Sequence, residues 1–383
     1  MPALSRLRFD RHEIAGAFGD IGTDLPLIAG ILLATGLEPA GVFITFGLAQ
    51  IASGLLYGLP MPVQPLKAMA VVVIAGQATG GQLQLAGLMI GAFMLLLAFS
   101  GLLDRLQKLI PVIVVRGIQA GLGLALARTS LGLTGREGHW GWIAAGVAVV
   151  LLIWLRGHRH FPGALVVVGA GALWAAFERI DWTVLSHGFG LVLPQPAAIP
   201  WDQWLAALTL LVLPQVPLSL SNSIIATQRT VADLFPDQPV TLKSIGRSYG
   251  LFNLLSPWLG GIPLCHGCGG LAGYYALGAR TGGSVILYGS LYLMVGVFFN
   301  GAFQEVLRVF PAPVLGAVLL VEAGVLLLLL REVPRHPLAL GLAVAVALLC
   351  VFAPQGYLTG MIVGCFLCYS LRRWLPAPAG TSG

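Results

Sequence analysis

The sequence predicts an all-α integral membrane protein, and three observations lead to this fold class. Of its 383 residues, 57% are hydrophobic and only 9% are charged, with a mean hydropathy of +0.89. A soluble domain carries about 25% Asp, Glu, Lys and Arg, so this chain has too little charge to cover a water-facing surface. Apolar segments, several of them short or broken, also follow one another along the chain, and single basic residues lie mostly in alternate connections between them.

A helix needs about 20 mostly apolar residues to span a bilayer, and the chain offers fourteen candidate segments. Seven of them lie in the first half, near residues 14–35, 41–59, 63–76, 82–101, 111–128, 140–156 and 162–177. Seven more lie in the second half, near residues 203–226, 243–259, 264–277, 282–300, 311–330, 337–353 and 356–374. We therefore divide the chain into two seven-span halves, 1–190 and 191–383, which leave no room for a soluble domain.

The positions of the basic residues test this count. With fourteen spans both termini lie on one side, and sixteen of the 21 Lys and Arg residues fall on that side. Four fall opposite, namely Arg128, Arg136, Arg179 and Arg308, and Lys67 lies within the membrane. Cytoplasmic loops carry an excess of Lys and Arg, so we expect a multi-pass protein of the cell membrane, the inner membrane of a bacterium, with both termini cytoplasmic. Since the basic residues are scattered singly, they do not indicate a nucleic-acid partner.

Two segments are broken at matching places. The third begins Leu59-Pro60-Met61-Pro62-Val63-Gln64-Pro65-Leu66-Lys67-Ala68, and the tenth begins Gly261-Ile262-Pro263-Leu264-Cys265-His266-Gly267-Cys268-Gly269-Gly270. Each is third in its set of seven, and each predicts a half-helix rather than a regular span. Because seven is odd, the second set starts from the opposite face, so the repeats are inverted. Packed membrane helices tolerate Pro and Gly as simple kinks, but a matched pair of broken segments indicates a transporter binding site.

Span one carries two carboxylates. Asp20 and Asp24 are four residues apart and share a helix face, with Thr23 beside them. A carboxylate at the bilayer centre costs about 2.5–3.5 kcal/mol on insertion scales, so both residues are candidates for proton coupling. The alternative is structural, in which the pair caps helix ends or bridges to Lys67.

The start of the third segment has the chemistry of an anion site. Lys67 lies in the first turn of the half-helix that follows Pro65. Two facing half-helix N-termini, each carrying about +0.5 charge, would with Lys67 supply about +2, which suits a dianion. Backbone N–H groups at such termini donate to oxyanion oxygens, and glycines after Cys265 let the backbone approach closely. A role for Lys67 in neutralising Asp20 or Asp24 remains equally open.

Span eight carries Gln215, Ser219 and Asn222 as a polar stripe in an apolar helix. Polar side chains in a bilayer face other helices or a cavity, so the stripe makes either interhelical hydrogen bonds or part of the anion site. Span eight is first in its repeat, as span one is, which favours the same central location. The complete predicted substrate site comprises Thr23, Gln64, Lys67, Gln215, Asn222, His266, Gly267, Gly269 and Gly270.

The run Cys265-His266-Gly267-Cys268 raises a second hypothesis, a membrane-embedded metal or redox enzyme. A closed zinc site needs four ligands, and no further Cys or His cluster lies nearby in the sequence. We therefore predict no metal, no cofactor and no catalytic residue. A channel is a third option, but the matched broken segments favour alternating access.

The same segments resemble the molybdate-transporter family of plants, algae and bacteria, a branch related to sulfate permeases. Four motifs carry the resemblance, in this order: Gly19-Asp20-Ile21-Gly22-Thr23; Pro60-Met61-Pro62-Val63-Gln64-Pro65-Leu66-Lys67; Leu213-Pro214-Gln215-Val216-Pro217-Leu218 leading to Asn222-Ser223; and Cys265-His266-Gly267 through Gly269-Gly270-Leu271-Ala272-Gly273 to Gly278-Ala279-Arg280. The resemblance implies the seven-plus-seven inverted-repeat fold of sulfate and uracil permeases, and uptake of a tetrahedral oxyanion.

The expected function is therefore secondary transport of molybdate, coupled to protons through Asp20 or Asp24. Sulfate is the alternative substrate, because both anions are tetrahedral dianions. Two residues depart from the resemblance: Asp24 stands where an aromatic or apolar residue is expected, and Cys268 where a small one is expected. The expected partners are the oxyanion, protons and the lipid bilayer, and a homodimer is one option for the assembly.

Overall fold

A computed structural model describes residues 7–103, 105, 109–135, 137–155, 163–178, 181–298, 311–353 and 356–375 of the chain. The predicted segment ends at 156, 162 and 300 lie outside these residues. So do seven of the basic residues used to predict the orientation, namely Arg6, Lys108, Arg136, Arg156, Arg159, Arg179 and Arg308.

The first half of the chain is helical, and each of its seven predicted segments overlaps an observed helix. Its elements are α1 (Arg11–Gly16), α2 (Ile21–Thr35), α3 (Pro39–Tyr57), β1 (Gln64–Pro65), α4 (Lys67–Ile74), α5 (Gly80–Ser100), α6 (Val112–Gly135), α7 (Gly138–Trp154), α8 (Gly163–Glu178) and α9 (Trp182–His187). The first predicted segment is interrupted between α1 and α2. At this break Gly19 lies so close to the backbone of Gly273 and Tyr274 that a side chain there would collide with it.

The second half also places a helix at each of its seven predicted segments. Its elements are α10 (Trp201–Leu234), α11 (Leu242–Leu255), β2 (Leu264–Cys265), α12 (Cys268–Ala276), α13 (Gly283–Phe298), α14 (Ala312–Leu328), α15 (Pro337–Phe352) and α16 (Gly356–Ser370). Helix α10 is longer than the predicted 203–226, and wide π-helical turns at Leu208–Val212 and Ser219–Ala226 flank Pro214 and Pro217. Proline has no N–H to continue the regular ladder, and π-helical turns are frequent at functional sites.

Five helices among the described residues are long and apolar enough to cross a membrane: α3, α5, α6, α10, and α14 with its extension to Glu332. Shorter apolar helices include α7, α13, α15 and α16. Large apolar side chains such as Trp140, Phe177 and Phe366 are exposed on the helix surfaces. Extended apolar surfaces of this kind mark contact with a membrane or a partner. The chain is a mostly helical membrane protein, as the composition predicted.

The two short strands pair at the centre of the molecule. Gln64 lies opposite Cys265 and Pro65 opposite Leu264, in antiparallel register, and all four residues are buried. Helix α4 begins two residues after β1 ends, and α12 begins three residues after β2 ends. The strand pair therefore brings together the starts of the two short helices, which are the half-helices predicted in the third and tenth segments.

Helices from opposite halves of the chain pack against each other around this centre. Helix α3 packs along α13, α5 along α11, and α6 along both α14 and α15. Small residues permit the close approach, since Gly47 lies against the backbone of Gly289 and Gly91 against that of Gly250. Contacts of this kind are typical of helices packed in membranes.

A buried glutamate anchors the segment before α2 to the second half of the chain. One carboxylate oxygen of Glu13 accepts the backbone N–H groups of Arg280 and Thr281 at 2.9 and 2.8 Å, and the other accepts that of Ser284 at 3.1 Å. N–H groups at a helix start have no partner within the helix, and a negative charge there is favoured by the helix dipole. Glu13 therefore binds the segment before α13 and caps the helix itself through Ser284.

Candidate functional site

A small cavity lies beside the strand pair, between the start of α4 and helices α6, α10 and α14. It is lined by Lys67, Gln119, Leu122, Gln215, Leu218, Asn222, Ser223, Cys265 and Leu326. Its volume of about 10 Å³ is about the space of one water molecule. Three of the predicted site residues, Lys67, Gln215 and Asn222, thus meet in one cavity. Side chains must move before a tetrahedral oxyanion fits there.

Gln215 caps the start of α4. Its Oε1 accepts the backbone N–H groups of Ala68 and Met69 at 3.1 and 3.3 Å. Its Nε2 donates to Ser219 Oγ at 3.1 Å, and that hydroxyl is 2.8 Å from the hydroxyl of buried Tyr249. Because a backbone N–H only donates, the amide must turn its oxygen towards the helix. An amide oxygen therefore occupies the half-helix start at which the sequence predicts an anion.

Asp20 lies at the start of the second half-helix. Gln64 Nε2 donates to both carboxylate oxygens of Asp20 at 2.7 Å. The side chains of Asp20 and Gln64 fill the space beside Gly270, and Gln64 fills that beside Gly267, so a Cβ at either glycine would collide with them. These two glycines make room for the Asp20–Gln64 pair and are not among the cavity-lining residues. Gly269 is exposed, with open space where a Cβ would stand.

His266 lies outside the cavity lining and is fully buried. Its Nδ1 donates to the carbonyl oxygen of Pro62 at 2.8 Å, and its Nε2 is hydrogen-bonded to Ser248 Oγ at 2.7 Å. The hydroxyl of Tyr57 is 2.6 Å from the same serine oxygen, and its ring contacts the imidazole edge-on. The histidine therefore joins the segments that precede the two half-helices.

The cysteines beside His266 do not form a metal site with it. Both imidazole nitrogens are engaged, Cys265 lines the cavity, and Cys268 Sγ donates to Asn222 Oδ1 at 3.3 Å. Within the part of the chain that the structure describes, no three His, Cys, Asp or Glu side chains form a group that could hold a metal ion. The metal version of that hypothesis therefore has no site in that part.

The charged residues of span one lie close to the central strands. Asp24 is 0% exposed and Thr23 is half-buried, both at the start of α2. Asp20 contacts β1 through the hydrogen bonds from Gln64, and Lys67 lies two residues beyond the end of β1. Neither aspartate nor Thr23 is among the cavity-lining residues.

Three further polar residues of the lining, Gln119, Ser223 and Cys265, were missing from the predicted site. Gln119 is a buried amide in the apolar helix α6, so the rule that singled out span eight also applies to it. Ser223 follows Asn222 directly, and both reach the cavity from a π-helical turn. The sequence carries no clear signal for the position of that turn.

Residues 12–126 and 207–327, more than half of the chain, match the family described as "Molybdate transporter of MFS superfamily". The chain belongs to this family. Molybdate transporter 2 of Arabidopsis thaliana is 34% identical over 360 residues, covering 82% of this chain and 77% of the relative. Molybdate transporter 1 of the same plant is 32% identical over 352 residues, covering 80% and 77%.

Solved structures show the fold that this molybdate transporter family member adopts. The transmembrane domain of the cyanobacterial bicarbonate transporter BicA matches with a TM-score of 0.64 and 15% identity, covering 93% of this chain and 96% of that one. Murine Slc26a9, an anion transporter solved in the inward-facing state, matches with a TM-score of 0.70 and 14% identity, covering 98% and 71%. The predicted family is confirmed. So is transport rather than catalysis, since the named relatives are transporters.

Proposed function

We propose that this protein is a secondary active transporter that carries molybdate across the cell membrane. Family membership supports the substrate class, and the observation that carries the proposal is the cavity where Lys67, Gln215 and Asn222 meet at the start of α4. Helix N-termini and a lysine ammonium both bind oxyanions. In this proposal molybdate takes the place of Gln215 at the N–H groups of Ala68 and Met69.

Gln215 acts here as a removable cap. The N–H groups at the start of α4 need an acceptor in the buried site, and the amide oxygen supplies it while no anion is bound. A dianion forms stronger, charge-assisted hydrogen bonds than a neutral amide, so it displaces the amide oxygen. The rotated amide can then present its NH₂ group to the anion.

The transport cycle follows from two inverted repeats, 1–190 and 191–383, related by an axis through the Gln64–Cys265 pair. Lys67 opens α4 three residues after Gln64, and Cys268 opens α12 three residues after Cys265. The same axis relates α3 to α11 and α13 to α5, so the packed α3–α13 pair corresponds to the packed α11–α5 pair. This arrangement supports fourteen spans and alternating access. The excess of basic residues on the side of the termini supports cytoplasmic termini in a bacterial inner membrane. A cysteine introduced at exposed Phe9, with the native cysteines replaced, should react with an impermeant thiol reagent only from the cytoplasmic side.

Proton coupling is the second part of the proposal. With Lys67, Asp20 and Asp24 all ionised, the side chains around the strand pair carry one net negative charge, which disfavours a dianion. A proton taken up by one carboxylate removes that charge, so the proton and the anion bind more favourably together than separately. We assign the proton to Asp24, because the hydrogen bonds that Gln64 donates to both oxygens of Asp20 stabilise that carboxylate in its ionised form.

Uptake of labelled molybdate into proteoliposomes tests this function. We expect accumulation when the outside is more acidic, competition by tungstate, and little competition by sulfate or phosphate at equal concentration. Liposomes prepared without protein serve as the control for leakage. Strong competition by sulfate would favour the sulfate alternative, and uptake of neither anion would refute the proposal.

A further inference from the structure

Gln119 enters the cavity from α6, a helix outside the two half-helices. It is 2% exposed, and its Oε1 accepts a hydrogen bond from Arg116 Nη1 at 2.8 Å. A guanidinium has donors but no acceptor, so the amide must present its oxygen to Arg116. The two polar atoms of an amide diverge from one carbon, so the Nε2 donor of Gln119 faces away from Arg116.

Arg116 is itself held in place. Its Nη2 forms an ion pair with Glu332, at the end of the short helical extension of α14. Helix α14 also contributes Leu326 to the cavity, and it packs along α6. The guanidinium therefore bridges two helices that border the cavity, and its hydrogen bond to Oε1 sets the orientation of the Gln119 amide.

We propose that Gln119 Nε2 donates a hydrogen bond to the bound oxyanion, and that Arg116 is a positioning residue that keeps this donor turned towards it. A reversed amide would present an oxygen to the anion and repel it. The inference rests on the proposed function and adds a ligand contact from α6, outside the half-helices. In the resulting site the anion is held from the start of α4 by Lys67 and from α6 by Gln119.

Two variants of Gln119 test the contact. Gln119→Glu keeps the size and the acceptor for Arg116 but replaces the donor with a carboxylate oxygen, and Gln119→Met removes the donor without adding charge. A hydrogen bond to a charged group contributes enough for a roughly 10- to 150-fold change in affinity. We expect Gln119→Met to weaken molybdate binding by that factor, and Gln119→Glu to weaken it more. The readout is the Kd for molybdate by isothermal titration calorimetry on purified full-length protein.

Gln82→Glu is the matched control. Gln82 lies at the start of α5, where its Oε1 accepts the backbone N–H of Thr79 at 2.8 Å, and a glutamate can keep that bond. The control introduces the same charge outside the cavity lining. We expect the Kd of this variant to equal that of the wild-type protein.

The role of Arg116 is tested by a double-mutant cycle. Arg116→Lys keeps a donor-only cation and should retain most of the affinity, whereas Arg116→Gln lets either end of the Gln119 amide face the anion and should weaken binding. If Arg116 acts through Gln119, Arg116→Gln should cause no further loss of affinity in the Gln119→Met background. Melting temperatures of the anion-free proteins separate this effect from a structural one, which would lower stability equally in both backgrounds.

The outcomes distinguish this inference from the function on which it rests. Wild-type affinity in both Gln119 variants, alongside weakened binding in Lys67→Gln, would overturn the inference alone. Additive losses for Arg116→Gln and Gln119→Met would overturn the positioning role. Absence of molybdate binding by the wild-type protein would overturn the proposed function, and the inference with it.

Discussion

Gln64 Nε2 lies 2.7 Å from each carboxylate oxygen of Asp20. This contact joins the first span to the strand before α4, and both side chains press against Gly270 in the first turn of α12. The first span, β1 and α12 therefore meet at this buried contact. No space remains at Gly270 for a larger side chain.

The first prediction compares two neighbouring glycines. Gly270→Ala places a methyl group against Asp20 and Gln64, and overpacking of this kind costs about 1–3 kcal/mol. Gly269→Ala points into open space and should keep or raise stability, because alanine is the better helix former. Thermal unfolding of both variants in detergent should give a lower Tm for Gly270→Ala alone. Equal melting temperatures would contradict the tight packing at Gly270.

The second prediction concerns Lys67. If Lys67 is a ligand to the anion, the Lys67→Gln variant should bind molybdate roughly 10- to 150-fold more weakly, with little change in stability. If Lys67 instead neutralises Asp24, the same variant should lose stability while keeping near-normal affinity, and adding Asp24→Asn should restore stability. Binding calorimetry and thermal unfolding of both variants decide between these roles. Wild-type affinity in well-folded Lys67→Gln protein would exclude the ligand role.

The third prediction concerns the cap on α4. Gln215→Glu places a full negative charge at N–H groups that already bind the amide oxygen, and such a charge stabilises a helix start by about 0.3–1 kcal/mol when exposed and up to about 2 kcal/mol when partly buried. The carboxylate also repels an incoming dianion. We therefore expect unchanged or higher Tm together with loss of molybdate binding. Retained affinity would show that the anion does not replace Gln215.

The fourth prediction separates the two aspartates. Asp24→Asn should still bind molybdate and exchange it across the membrane but lose accumulation driven by a pH gradient. Asp20→Asn replaces a charge-assisted hydrogen bond with a neutral one, so its main effect should be lower stability, by about 1 kcal/mol or more. The two assays are counterflow exchange and pH-driven uptake in proteoliposomes. A normal response of both variants to the gradient would exclude both carboxylates as the proton carrier.

The helices and the central broken segments could be predicted because their signals are local. Apolar runs give the spans, and the prolines before Lys67 and glycines after His266 interrupt them. Which polar groups face the cavity depends on contacts between distant segments, and these leave no local signal. His266 was predicted as a ligand, but Pro62 and Ser248 engage its ring.

The roles of Gly270 and Gln215 likewise depend on contacts between distant segments, so the sequence alone could not predict them. A glycine in the first turn of a helix is compatible with a bound ligand or with a neighbouring side chain, and the structure places the side chains of Asp20 and Gln64 beside Gly270. Gln215 was predicted from its place in a polar stripe. Its hydrogen bonds to Ala68 and Met69, nearly 150 residues away, follow from the tertiary fold.

The anchoring of Glu13 has a consequence for how the protein is made. Its partner Thr281 lies 268 residues further along the chain, and ribosomes add about 5–20 residues per second, so the partner appears roughly 13 to 54 seconds later. Until then the carboxylate lacks the three N–H groups that donate to it in the finished fold. Helix α1 therefore reaches its final packing only after the start of α13 has been synthesised, and nascent chains that stop before Ser284 cannot form all three hydrogen bonds.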